Sequence, residues 1–122
     1  LIGQTFLVLS THDAYKISLK STLENVGDAK RIIDLENFYL GIGGVLTFKN
    51  SGLDNTIKEI DIAHLILETD SPYLAPTPFR GKRNESKYIL NIAEKLAEVK
   101  GVSLEKIAEI TNKNASNLFN IF

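Results

Sequence analysis

The chain has 122 residues, enough for one domain with a real core. A net charge of −1, with 43% apolar and 24% charged residues, is ordinary for a soluble globular protein and excludes a global field that gathers nucleic acid, so any such binding must be local. The absence of cysteine excludes disulfides and thiolate metal sites, and the longest apolar run, Phe6 to Leu9, is too short to span a membrane. No basic-then-apolar leader opens the chain, so no membrane partner is expected and the cytoplasm is the expected location. The first residue is Leu rather than Met, as in a fragment or a processed chain.

In chain order, Thr5 to Ser10 reads as a buried strand, β-branched and aromatic. Thr11-His12-Asp13 is a polar turn. Ala14 to about Val26, with Ile17, Leu19, Leu23 and Val26, is expected to be a helix. Gly27-Asp28 punctuates it, and Asp28 caps a second helix, Ala29 to Leu35, with Ile32 and Ile33 inward. Phe38 to Gly44 is a second strand whose glycines permit close backbone approach. Leu53 to Ile60 is a short helix. Leu65 to Glu68 is a third strand, a short apolar run of the buried parallel kind. Ser86 to Val99 is a helix with an apolar stripe of Ile89, Ile92, Ala93, Leu96 and Ala97, stopped at Lys100-Gly101. Ser103 caps Leu104 to Ile110, and Asn114 caps a last helix carrying Ala115, Leu118 and Phe119. Strands alternate with helices, which argues for a parallel α/β architecture.

The chain is organised around Leu65 to Asn84. The strand gives way to Thr69-Asp70-Ser71 and then to Pro72, Pro76 and Pro78, so it must end in an ordered loop. That loop closes on Arg80-Gly81-Lys82-Arg83-Asn84. In parallel α/β proteins chemistry sits at the carboxyl ends of strands. Asp70, at such a mouth, is the leading candidate for a metal ligand or a general base. Glu68 lies two residues earlier and shares its strand face; an ion pair with a neighbouring helix is its plainer reading. Arg80, Lys82 and Asn84 are the candidate substrate contacts, Arg80 being suited to bidentate phosphate binding, against a plainer reading as a solvated charged loop with Arg83. Asn84 and Tyr73 also read as loop-fixing residues, with Tyr73 packed on the prolines. His64 reads as a surface histidine before a strand. His12, at the end of the first strand, is a second candidate ligand. Gly43-Gly44 and Lys49-Asn50 read as turn residues that could line the same mouth.

The runs ETDSPYLAP and RGKRNE resemble the signature at the last barrel strand of the TatD family of metal-dependent deoxyribonucleases. The likeness continues upstream through FYLGIGGVLTFKNSGL and downstream through EKLAEVKGVSLEKIAEITNKNASNLF. It covers about three quarters of the chain, roughly from Asp28 to its end. The resemblance implies an α/β fold, the C-terminal portion of a TIM-type (β/α)8 barrel, with about three parallel strands, outer helices and a helical C-terminus. A whole barrel takes about 250 residues. It also implies hydrolysis of phosphodiester bonds, in DNA above all, with a divalent ion (Mg²⁺, Mn²⁺ or Zn²⁺) and with Asp70 as ligand and base.

The chain departs from that pattern. The family holds its metals with a histidine pair on the first strand, a glutamate on a middle strand, two further histidines, and the aspartate matching Asp70. Aligning Asp13-Ala14 on the family's His-x-Arg-Asp-Ala run puts Ser10 in the place of the histidine and His12 in that of the arginine. His12 substitutes only through a shift of two residues, which keeps the strand face. The strand carrying the next histidine reads as deleted. With Asp70 alone aligned, the chain by itself is expected to be inactive or nearly so, and the alternative is a non-catalytic remnant or a partner-binding module of a split barrel. Three strands with open edges and a face lined by Leu7, Leu9, Leu40, Ile42, Leu65 and Leu67, or by their alternates, are expected to self-associate or to need a partner segment.

Overall fold

The computed structural model describes residues 8–11, 14–19, 26–35 and 38–120. Among the described residues, four strands make one sheet in the order β1-β2-β3-β4. β1 (Val8–Thr11) runs antiparallel to β2 (Ala14–Leu19), from the pair Val8–Ile17 to Thr11–Ala14. β2 is parallel to β3 (Phe38–Ile42), with Tyr15 opposite Phe38 and Leu19 opposite Ile42. β3 is parallel to β4 (Leu65–Leu67), with Leu40 opposite Leu65 and Ile42 opposite Leu67. Parallel neighbours need a crossover, and each has a helix in it: α1 (Val26–Ile33) between β2 and β3, and α2 (Leu53–Lys58) between β3 and β4. Two helices follow the sheet, α3 (Ile89–Lys100) and α4 (Leu104–Phe119).

The order has no reversal, so successive crossovers cover the same face. The core is on that face: Leu40, Ile42 and Leu65 from the strands meet Ala29 of α1, Ile57 of α2, Ile92, Ala93 and Leu96 of α3, and Ile107 of α4. The stripe read on α3 is therefore the buried one, apart from Ile89, which is partly exposed. Gly101 ends α3 in the left-handed region at φ 66, and the Val102 N–H donates to the Ala97 carbonyl, the wrap that satisfies the last turn. Ser103 caps α4 by accepting from the Lys106 N–H. The Lys100 ammonium donates to the carbonyls of Ile57, Lys58 and Ile60, at 3.2, 3.3 and 2.6 Å, and so closes the exposed end of α2.

Several expectations are corrected. Residues 14–19 are a strand, not the start of a helix. Tyr15, Ile17 and Leu19 alternate with Lys16 and Ser18, and spacing by two is the period of a strand. The strand expected to be deleted is thus replaced by one in the lane beside β3, and its sequence AYKISL holds no histidine. The sheet has three parallel strands, but the third is β2, while the first strand read from the sequence is its antiparallel neighbour. Residues 5–7 and 20–25, along with His12 and Asp13, lie outside the described residues. Asn114 does not start a helix. α4 runs through it unbroken, and its buried amide donates to the carbonyls of Ile62 and Leu65, at 3.0 and 2.7 Å, anchoring α4 to the entry of β4. Leu40, Ile42, Leu65 and Leu67 belong to the helix-facing core, not to a bare inner face.

Candidate active-site mouth

The opposite face of β3 and β4 carries different residues. Gly41 pairs with Ile66, and Glu68, two residues on, continues that face as its N–H extends the ladder to the Ile42 carbonyl at 3.0 Å. The Glu68 carboxylate lies across Gly41: a Cβ built there would stand 2.6 Å from Oε2 and 2.8 Å from Cδ. At Gly43 a Cβ would stand 3.7 Å from the Glu68 Cγ and 3.9 Å from the Asp70 Oδ2. The glycines of β3 therefore leave the space that two half-buried carboxylates occupy, just beyond the carboxyl ends of the strands. This explains FYLGIGG better than a turn requirement does: leucine and isoleucine alternate toward the helices while glycine alternates toward the carboxylates.

Two loops frame this mouth and are fastened to each other. After β3 comes a single 3-10 turn, Gly44–Thr47, and after β4 the proline loop. The Thr77 N–H donates to the Thr47 Oγ1 at 2.9 Å, and the Thr77 hydroxyl donates to the Thr47 carbonyl at 3.2 Å. The Thr47 hydroxyl in turn donates to the Gly44 carbonyl at 2.7 Å. Gly44 permits the closest approach of all, since a Cβ there would land on the Leu74 carbonyl oxygen. The Arg80 guanidinium sits 3.8 Å from the centre of the Phe48 ring, and the rings of Phe79 and Tyr88 stack at 4.0 Å with 6° between planes. These contacts put Arg80 just past the carboxyl end of β3, the end at which Asp70 stands.

The other candidates are placed as follows. Lys82 and Arg83 are exposed, and the Lys82 N–H donates to the Phe79 carbonyl. Asn84 is 3% exposed; its N–H donates to the Pro72 carbonyl at 2.9 Å and its side-chain amide to the Tyr73 carbonyl at 2.7 Å, so it closes the loop from within. Tyr73 does not pack on the prolines: it is 74% exposed. His64 precedes β4 and lies at the opposite end of that strand from Asp70. Exposed Glu85 pairs with Lys87 at 2.9 Å; the Lys87 hydrogen bond and charge hold the Glu85 carboxyl below its usual value, and Glu85 raises Lys87 in return. Sequence reasoning missed the Thr47–Thr77 clip and the Arg80–Phe48 stack, because residues thirty or more apart carry no local pattern.

Residues 5–120 match the family described as TatD related DNase. The chain belongs to the TatD family. It is 51% identical over 86 residues to an uncharacterized metal-dependent hydrolase of Bacillus subtilis, YabD, covering 70% of this chain and 34% of that protein. It is 40% identical over 120 residues to an uncharacterized metal-dependent hydrolase of Buchnera aphidicola, covering 96% of this chain and 45% of that one. The crystal structure of a TatD homolog from Escherichia coli superposes with a TM-score of 0.76 at 25% identity, over 86% of this chain and 40% of that chain. A TatD family hydrolase from Entamoeba histolytica shares the fold, with a TM-score of 0.71 at 20% identity, over 84% of this chain and 41% of its own. The TatD-like chain described here thus spans less than half the length of the relatives it matches.

The family's relatives are named for metal dependence, and the mouth can be tested against that. Glu68 and Asp70 are oxygen donors of the right kind for a hard divalent ion. A catalytic zinc takes three protein ligands, and among the described residues no three histidine, cysteine, aspartate or glutamate side chains group to hold an ion. The described residues therefore do not by themselves complete a metal site. Among the described residues, no helix is long and apolar enough to cross a membrane.

Proposed function

We propose that this chain is the C-terminal portion of a TatD-type barrel hydrolase acting on phosphodiester bonds, DNA first among its substrates. In this reading the mouth of β3 and β4 supplies the aspartate that matches the family's ligand, together with the phosphate contacts. Asp70 accepts the proton of the attacking water and remains the candidate metal ligand, with His12 as the other. Arg80 offers a planar cation for a phosphate, ordered by its stack on the Phe48 ring, and exposed Lys82 adds a second charge on the same loop. Asn84 serves the same contact indirectly by holding the loop that carries both cations. The observation that supports this best is the pair of glycines, Gly41 and Gly43, that opens space for two carboxylates at the carboxyl ends of the strands.

The chain alone is inactive or nearly so, and a second copy or a partner segment completes its sheet. A second reading, a non-catalytic partner-binding module, draws on the incomplete ligand set among the described residues. A nuclease assay with Mg²⁺, Mn²⁺ or Zn²⁺, run beside Asp70→Ala, decides between these. The expected result is DNA binding with no cleavage above the Asp70→Ala background. Metal-stimulated cleavage lost in Asp70→Ala would overturn the expectation of inactivity, and failure to bind DNA would overturn the phosphodiester reading. Sedimentation at tens of micromolar tests the assembly: a compact monomer would sink it.

A further inference from the structure

β4 ends the sheet, so one of its edges has no neighbouring strand among the described residues. Its sequence, Leu65-Ile66-Leu67, has neither the lysine nor the proline with which open edges commonly refuse a second strand. The register shows which groups that edge presents. The Glu68 N–H points to the Ile42 carbonyl, and alternate residues of a strand turn their N–H and C=O to the same side. Ile66 and Glu68 therefore face β3, while Leu65 and Leu67 face outward. Such an edge is complementary to itself. Antiparallel pairing with a second copy, about a two-fold axis at Ile66, sets each Leu65 opposite the other copy's Leu67 and satisfies every outward group.

Both outward groups of Leu65 are already taken. Its N–H donates to the Ile62 carbonyl, and its carbonyl accepts from the Asn114 amide at 2.7 Å. The same amide reaches the Ile62 carbonyl at 3.0 Å. Asn114 is 6% exposed and comes from α4, 49 residues beyond Leu65. Its amide stands in for the N–H of a next strand. Each hydrogen bond of the two-fold pairing needs Leu65 from one copy or the other, so closing Leu65 removes them all. Only a slipped pairing of Leu67 with Leu67 is left. Its two hydrogen bonds do not offset the freedom a second molecule loses on binding. We propose that Asn114 bars a second copy of the chain from the outer edge of β4. The proposal stands apart from the phosphodiester reading, and under it a second copy that completes the sheet joins elsewhere than at Leu65.

The test is amide hydrogen exchange of the full chain, read residue by residue by NMR, with sedimentation at the same concentrations. In the unaltered chain the Leu67 N–H is expected to exchange at one rate from tens to hundreds of micromolar. In Asn114→Ala it is expected to slow at least about tenfold over that range, while the average mass rises above that of the unaltered chain. Asn114→Leu, which keeps the bulk and lacks the donors, is expected to do the same. Thr111→Val removes a buried hydroxyl that donates to the Ile107 carbonyl within α4, and is expected to behave as the unaltered chain. That control separates an opened edge from a loosened helix. Slowing of the Leu67 N–H with concentration in the unaltered chain overturns the proposal, whether or not the variants fold. A folded Asn114→Ala or Asn114→Leu whose Leu67 N–H ignores concentration overturns it too, as does equal slowing in Thr111→Val.

Discussion

On β3 and β4 the residues turned toward the helices are Leu40, Ile42 and Leu65, all fully buried, whereas those turned the other way include Gly41, Gly43 and Glu68. The same few residues of chain thus serve two ends. One face is filled to the density of a core, where every methylene removed from water contributes to stability. The other carries buried Ile66, and beyond it the glycines at 41 and 43 leave the space in which carboxylates lie. The contrast teaches that the glycines here are not weak points of a strand but the means by which a strand, continuous with the core, carries a polar mouth.

The core side of that contrast breaks first. Leu40→Ala should lower stability by roughly 2–5 kcal/mol, read from the urea midpoint of the helical circular dichroism signal, because the site is closed on all sides by α1, α3 and β4 partners. The mouth side is finer. Gly44→Ala pushes a Cβ into the Leu74 backbone and should cost roughly 1–3 kcal/mol, as overpacking against an immobile group does. Gly41→Ala pushes on the far end of the Glu68 side chain rather than on backbone, so its cost should stay below that of Gly44→Ala. If the two substitutions cost the same, the view that Gly41 is kept for the carboxylate rather than for the backbone is wrong.

Arg80→Ala should be smaller still in stability, about 0.5–1 kcal/mol for a cation over an aromatic face near the surface. Its larger effect should be on DNA affinity, measured by titration, and Arg80→Lys should recover only part of that because an ammonium cannot pair bidentately. The smallest effect belongs to Glu85 and Lys87. The Glu85 carboxyl is lowered from 4.5, so its contribution is present above that value and lost as pH falls through the folded value. The Lys87 ammonium is raised from 10.5, so its contribution is present below that value and lost as pH rises through the folded one. Between them the pair is pH-independent, and because both side chains lie in water, Glu85→Gln should leave the melting temperature near neutral pH unchanged.

The sequence by itself determined the pieces with strong local grammar. The strands at Phe38 and Leu65, the stripe and glycine stop of α3, the serine cap of α4, and the proline loop carrying Asp70 were all legible, because each depends on neighbours within one or two turns of chain. Residues 14–19 were not legible as a strand because Leu23 and Val26 extend Ile17 and Leu19 into a helical period, whereas the spacing by two belongs to a strand that pairing with β3 makes stable. Tertiary structure alone decided which face of each strand meets the helices, since alternation fixes two faces but not their destinations. It alone decided that Asn114 holds α4 to β4 instead of starting a helix, that Thr77 clips onto Thr47, and that Tyr73 turns outward. Those outcomes depend on groups far apart in the chain meeting in space, and no local pattern encodes such a meeting.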